Sequence, residues 1–226
     1  MLETNKIYCI DALEGLKQLE DNSVSAIFTD PPYNEKKNYG ELTNDNMPKE
    51  EYIDWCKSWF AELKRVSPLI VFTCGSKNLP DWCAIERPFR ILAWYKPNAM
   101  MTTGSLHFFI PVWEPILVYT TYKHLQTTLG VRSTHDAWNI PISIQKGVGN
   151  HPAPKSLKLW LKLIVFFTNQ NDLVLDPFMG IGTTAVAAKK LKRKFIGFEI
   201  SPDYCKISNE RLIKTQLTKN LRDIFV

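Results

Sequence analysis

Asp172-Leu173-Val174-Leu175-Asp176-Pro177-Phe178-Met179-Gly180-Ile181-Gly182-Thr183-Thr184 is the stretch on which the reading of this chain turns. Its short apolar run predicts a buried strand, and Gly180 and Gly182 permit a tight turn and close approach of backbone to a ligand. Ala185 to Leu191 is strongly helix-forming, and Ala185 stands where a small residue lets the helix pack on the strand. The pattern is strand, glycine turn, helix. A further apolar run, Phe195-Ile196-Gly197-Phe198, ends in Glu199. An acidic residue about 20 positions beyond such a turn commonly bonds the ribose hydroxyls of a nucleotide. A nicotinamide-dependent (NAD) oxidoreductase shares the G-x-G-x-x-A spacing, but its fingerprint usually opens a binding domain, and here the turn lies late in the chain.

A second acidic strand end precedes it. Val24-Ser25-Ala26-Ile27-Phe28 is apolar and leads into Thr29-Asp30-Pro31-Pro32-Tyr33. Two prolines fix consecutive φ angles and restrict the residue before each, so Asp30 and the neighbouring carbonyls are held in one extended shape. Asp and Pro also form ordinary surface turns. A rigid carboxylate, a carbonyl without a local partner and an aromatic ring within four residues suit a planar substrate bearing an amino group.

Around these stretches the chain alternates strands and helices. Lys6 to Ile10 reads as a strand, Ala12 to Glu20 as a helix with Leu13, Leu16 and Leu19 at helical spacing, and Val24 begins the next strand. This βαβ unit puts Asp11 and Asp30 at the carboxyl ends of parallel strands. Asn34 to Asn46 is polar and reads as a lid or a solvated connector beside Asp30. A helix starts at Pro48, with Tyr52, Ile53, Trp55, Cys56, Trp59, Phe60 and Leu63 on one apolar face. Leu69–Thr73, Phe89–Tyr95 and Pro115–Thr121 read as strands. Leu157, Trp160, Leu161, Ile164 and Phe167 describe an amphipathic helix ending near Asn169. The expectation is a single α/β domain over residues 1–226, doubly wound around a mostly parallel sheet, with a small insertion at about 97–150. Periodicity fades there, and no core pattern is evident. Lys123, His124, Arg132, His135 and Lys146 are candidates for phosphates or base edges.

Bulk properties narrow the class. The 226 residues are 45% hydrophobic, enough for one sizeable core, and no run of about 18 apolar residues exists. With no apolar leader at the N-terminus, a soluble, cytoplasmic protein without membrane contact is expected. Five scattered cysteines without a C-x-x-C pair argue against a disulfide framework and a zinc site, so no metal is expected. The net charge of +5 is compatible with a polyanionic partner.

Asp176-Pro177-Phe178-Met179-Gly180-Ile181-Gly182-Thr183-Thr184 looks closely like the cofactor motif of DNA adenine-N6 and cytosine-N4 methyltransferases, and Asp30-Pro31-Pro32-Tyr33 resembles their catalytic motif. Asp11, Trp94-Tyr95-Lys96-Pro97-Asn98, Trp113-Glu114-Pro115-Ile116-Leu117 and His151-Pro152-Ala153-Pro154-Lys155-Ser156 are supporting matches. The catalytic motif precedes the cofactor motif, which in this family marks the beta group, a circular permutation of a Rossmann-like methyltransferase fold with a seven-stranded sheet. The resemblance implies S-adenosyl-L-methionine on the turn formed by Phe178, Gly180, Gly182, Thr183 and Thr184. Glu199 would meet its ribose, Asp11 and Ala12 its adenine, and Lys155 and Ser156 its methionine end. Asp176 would shape the turn and meet the cofactor's ammonium, with Asp30 close by.

The resemblance further implies a flipped base in double-stranded DNA, with Asp30 and the Pro31 carbonyl accepting its amine protons, Pro32 holding the loop and Tyr33 stacking. Lys36, Lys37, Lys96, Lys123, Arg132 and Lys146 would line the DNA-facing side. Asp before Pro-Pro usually accompanies adenine and Ser cytosine, so adenine N6 is the expected target and cytosine N4 the alternative. An RNA base amine and a catalytically inactive DNA-binding module are further alternatives. None of the cysteines follows proline, which argues against carbon-5 methylation. The short recognition region leaves room for a homodimer, and the family for a companion restriction endonuclease.

Overall fold

The computed structural model describes residues 2–37, 45–100, 110–122, 135–142 and 155–217. Along the chain run β1 (Lys6–Cys9), α1 (Ala12–Leu16), β2 (Ala26–Thr29), α2 (Lys49–Val66), β3 (Leu69–Thr73), α3 (Leu79–Ile85) and β4 (Arg90–Tyr95). There follow β5 (Trp113–Thr120), β6 (Ala137–Asn139), α4 (Leu157–Phe167), β7 (Leu173–Asp176), α5 (Thr183–Lys190), β8 (Lys194–Glu199) and α6 (Pro202–Lys214). All strands join one sheet in the order β1-β8-β7-β2-β3-β5-β4-β6. From β1 to β3 the neighbours are parallel, and β5 runs antiparallel to both β3 and β4.

Side chains alternate between the two faces of each strand, so one strand serves two cores. Phe28 and Val71 face a cluster containing Leu159, Trp160 and Leu163 of α4 and Ala185 and Ala188 of α5. Ile27, Ile70 and Phe72 face the opposite cluster, with Trp59, Phe60 and Leu63 of α2 and Trp82 of α3. Helices therefore cover both faces, as doubly wound sheets require. Burying each such large side chain contributes roughly 1.5–3 kcal/mol. The aromatic centre is Trp59, whose ring lies 5.8 Å from Phe72, 5.1 Å from Trp82 and 5.4 Å from Phe178.

The α/β doubly wound architecture agrees with the expectation, with differences that have local causes. The sheet has eight strands rather than seven. The added one, β6, is three residues long, too short to leave a periodic signal, and pairs in parallel with β4. It lies in the stretch that lacked a core pattern, yet Trp138 and Ile140 are buried there. Of the range 97–150, β5 and β6 belong to the main sheet. The first helix ends at Leu16 instead of running to Glu20, with Lys17 as its C-cap. Two helices went unforeseen, α3 and α6; the second carries a readable start signal, since Ser201 accepts from Tyr204 N–H and Pro202 occupies the first turn.

Candidate active site

Parallel strands set side by side bring their carboxyl ends to one edge of the sheet. Reading across from β1, this edge presents Asp11, Glu199, Asp176, Asp30 and Thr73. Because β5 is antiparallel, it delivers a residue from its start, Glu114, to the same edge, where Cys74 N–H donates to the Pro115 carbonyl at 3.2 Å. Six polar residues thus converge from six strands, although they are spread over most of the chain.

At the glycine turn, Gly180 and Gly182 have φ of 53° and 81°, left-handed values that favour glycine. A Cβ on Gly182 would also stand 2.7 Å from Ser208 Cβ, so glycine lets α6 close over the turn. The Glu199 carboxylate anchors that turn, accepting from Gly180 N–H at 2.6 Å and Ser201 N–H at 2.8 Å. Burial pushes its acid above the usual carboxylate range, against the backbone donors of Ser201, Gly180 and Ile200. Phe178 packs its ring on Trp55 and Trp59, fixing the loop against α2. Asp11 caps α1, its Oδ1 accepting from Leu13 and Glu14 N–H at 2.9 and 3.2 Å, with Ala12 buried behind it.

Asp176 is buried at 3% exposure and receives Thr29 Oγ1 at 2.6 Å, Thr184 Oγ1, and Phe178 N–H at 3.0 Å. Desolvation outweighs these donors and raises its carboxyl from the ordinary 3.8 to about 7. The folded protein therefore holds a proton here that the unfolded chain has released. The stability this adds is complete below about 4 and lost as pH rises through about 7. Thermal melts of wild type and Asp176→Asn between those pH values are expected to show the wild type losing ground to the variant as pH rises. A difference constant with pH would contradict it.

The second centre is built on β2. Asp30 Oδ1 accepts from Tyr33 Oη at 2.6 Å, Thr73 Oγ1 at 2.5 Å and Lys155 Nζ at 3.1 Å. Its Oδ2 has no hydrogen bond among the described residues, and a quarter of the side chain is exposed (24%). The Tyr33 hydroxyl also lies 2.8 Å from Glu114 Oε1, and Lys155 donates to its oxygen at 3.0 Å. Burial and the Asp30 and Glu114 charges push this phenol well above its ordinary range, so it stays protonated. Glu114 is ion-paired with Lys155 and with Lys96, the latter at 3.3 Å. Burial opposes its ionisation, and the two ammoniums overcome that, holding the carboxyl below its usual value. Lys155 stays charged for the converse reason: burial is outweighed by Asp30 and Glu114.

The loop carrying Asp30 is clamped from behind. Tyr52 Oη donates to the Pro32 carbonyl at 3.0 Å, and Asn78 Nδ2 to the Tyr33 carbonyl at 2.8 Å. The Pro31 carbonyl has no donor among the described residues. Asp45, buried at 3% exposure, accepts from Asn34, Glu35 and Lys37 N–H at 2.7, 3.1 and 2.9 Å. The segment expected as a lid or connector is thus tied at both of its described ends; residues 38–44, including Tyr39 and Gly40, lie outside the described residues.

The geometry groups the expected residues differently in two places. Lys155, expected at the cofactor, has its ammonium on Asp30, Tyr33 and Glu114. Lys96, expected at DNA, is turned inward with 13% of its side chain exposed. Ser156 keeps its place beside Lys155, its Oγ buried with no partner among the described residues. Lys36 is exposed, and Lys37 pairs with Glu35 at 3.2 Å and lies 5.8 Å from the Tyr33 ring centre. His135 is exposed; Lys123, His124, Arg132 and Lys146 fall outside the described residues. Thr73 is not among the expected site residues, its only signal being a polar residue at the end of an apolar run; Glu114 stands in the supporting match Trp113-Glu114-Pro115-Ile116-Leu117, with no role expected of it.

The left-handed glycine turn, the Glu199 acceptors and the orphaned Ser156 hydroxyl fit S-adenosylmethionine: backbone for close approach, oxygens for ribose hydroxyls and a free polar group for its amino-acid end. Among the described residues no group of three or more His, Cys, Asp or Glu is placed to hold a metal. No described helix is long and apolar enough to cross a membrane.

Comparison with known proteins bears on the same residues. The sequence pattern of the N6/N4 methyltransferases, described as DNA methylase, matches residues 24–210. The type II methyltransferase M.HpaI of Haemophilus parainfluenzae is 28% identical over 235 residues, which are 92% of this chain and 74% of that protein. The cytosine-N4-specific PvuII DNA methyltransferase superposes with a TM-score of 0.75, covering 100% of this chain and 91% of its own; at 20% identity this is a likeness of fold. The crystal structure of the M1.HpyAVI-SAM complex superposes with a TM-score of 0.67 at 29% identity, covering 92% of this chain and 98% of its own.

Proposed function

The chain belongs to the N6/N4 DNA methylases, whose pattern spans both centres, and from that premise we propose that it methylates the N6 amine of a flipped adenine in DNA, using S-adenosylmethionine. The observation that carries this is the state of Asp30. Three donors hold Oδ1 and leave Oδ2 without a hydrogen bond among the described residues, one strand away from the glycine turn. Adjacent strands lie about 4.8 Å apart, close enough for one small reacting group to span both centres.

Bound on the turn, the cofactor supplies an electrophilic methyl group. The residues of the chain do the rest by placement. An exocyclic amine is a weak nucleophile because its lone pair is delocalised into the ring. Asp30 Oδ2 and the Pro31 carbonyl can each accept one N–H, which favours a pyramidal nitrogen with its lone pair free of the ring. Holding reactants in near-attack geometry supplies roughly 7–11 kcal/mol, so placement is the main catalytic term. Tyr33 offers its ring to the flipped base, while its hydroxyl is occupied behind. Glu199 would hold the ribose of the bound cofactor, and Asp176, beside the turn, would meet its ammonium. Lys36 and Lys37, with Lys123, Arg132 and Lys146, contact phosphates.

Adenine is preferred over cytosine by resemblance, because in the family Asp before Pro-Pro usually accompanies adenine and Ser cytosine; the carboxylate itself would form the same charge-assisted bond to the amine of either base. Unmethylated genomic DNA incubated with enzyme and S-adenosylmethionine, digested to nucleosides and analysed by mass spectrometry, is expected to contain N6-methyladenine. Methylcytosine alone would sink the adenine assignment and leave the mechanism standing.

A further inference from the structure

We propose that Glu114 and Lys155 act as a positioning pair for methyl transfer, holding the Asp30 carboxylate and the Tyr33 hydroxyl in the reactive arrangement from one strand, β5, and the segment just before α4, both outside the catalytic loop. The inference rests on the methyltransferase reading above and adds two residues to its machinery. Lys155 Nζ lies 3.1 Å from Asp30 Oδ1 and 3.0 Å from Tyr33 Oη, and is ion-paired with Glu114; only 11% of its side chain is exposed. Glu114 in turn reaches Tyr33 Oη at 2.8 Å and Lys96 at 3.3 Å.

Charge accounting explains why the set holds together. Two carboxylates, Asp30 and Glu114, meet two ammoniums, Lys155 and Lys96, around one neutral phenol. Tyr33 has a single proton for two carboxylate acceptors, and Lys155 screens their repulsion while donating to the phenol oxygen. Buried ion pairs seldom repay their desolvation, so four charges gathered here are poor evidence of a stability device. Their position around the Asp30 carboxylate, the group proposed to accept from the amine, points to function instead. With Oδ1 pinned, Oδ2 is directed to substrate; with the hydroxyl pinned, the Tyr33 ring cannot swing out of the stacking plane.

The test measures methyl transfer at saturating cofactor and DNA, together with cofactor and DNA titrations, for wild type, Glu114→Gln, Lys155→Met, Lys155→Arg, Tyr33→Phe and the Glu114→Gln/Tyr33→Phe double variant. Because an ångström of misplacement can cost about 10²-fold, Glu114→Gln and Lys155→Met are expected to lower kcat by about 10- to 100-fold with both affinities within about threefold. Lys155→Arg should recover part of the rate. The double variant should be no slower than the worse single one, because both changes break one Tyr33–Glu114 contact. Glu114→Gln retaining full kcat would overturn the proposal, and so would Lys155→Met losing cofactor affinity while keeping kcat. Should Lys155→Met fail to fold, the near-isosteric Glu114→Gln and its coupling to Tyr33→Phe decide. Wild type that binds cofactor but methylates no DNA would instead remove the proposed function, and this inference with it.

Discussion

Asp30→Ala is expected to lower methyl transfer at least 10²- to 10³-fold, roughly the loss caused by removing one preorganised electrostatic contact, with cofactor affinity nearly unchanged. The side chain is the end of β2, and its bonded partners, Tyr33, Thr73 and Lys155, all belong to the catalytic cluster. None belongs to the glycine turn. Removing the carboxylate therefore takes away the acceptor for the amine proton and leaves the turn anchored by Glu199. Asp30→Asn, which keeps the shape and loses the charge, should fall close to Asp30→Ala, since an amide can present a donor to the amine where an acceptor is needed. Single-turnover kinetics paired with calorimetric titration of S-adenosylmethionine make the comparison. A variant with normal turnover at saturation but strongly weakened cofactor affinity would reassign Asp30 to the cofactor site.

Glu199→Ala should behave in the opposite way, weakening cofactor binding by about 10²-fold or more with a much smaller change in kcat at saturation. Two ribose hydroxyls lose a charged acceptor, and each such bond contributes about 1.5–3 kcal/mol. The backbone compounds the loss, because Gly180 and Ser201 N–H both depend on this carboxylate. Glu199→Gln, which keeps one acceptor oxygen, should lie between. Titration calorimetry checks the order, and an alanine variant that binds as tightly as wild type would remove Glu199 from the site.

Much of the fold and half of the site were legible because their signals are local. Strand, glycine turn and helix sit within a score of residues around Gly180, and Asp30-Pro31-Pro32 carries its own rigidity. The resemblance, not the two stretches themselves, implies that Asp30 lies close to Asp176, and the strands that carry them, β2 and β7, are neighbours in the sheet. What stayed hidden depends on side chains meeting across the chain. Tyr33 and Glu114 are 81 residues apart, and Lys155 and Glu114 are 41 apart. Nothing in a lysine's neighbours says whether its ammonium faces a cofactor, a phosphate or a buried carboxylate, which is why Lys155 and Lys96 were grouped by resemblance and regrouped by geometry. Gly15 within α1 is a comparable case: it packs on Phe198, where a Cβ would come within 2.7 Å of the ring, and that contact comes from a strand far along the chain.

The strand order also dictates how the chain can assemble on a ribosome. Among the described strands β1 pairs with β8 alone, at a separation of 190 residues, and β2 meets β7 across 148. Strands β2 to β6 can pair as they emerge, but β1 waits for nearly the whole chain, and until β7 arrives one side of β2 is a bare apolar edge of the kind that seeds aggregation. Such long-range closures are slow, since the entropy of the loop is lost before any contact rewards it. The half that forms last holds the glycine turn and Glu199. A nascent chain therefore builds the strand end that carries Asp30 early, and the proposed cofactor turn only when synthesis is nearly over.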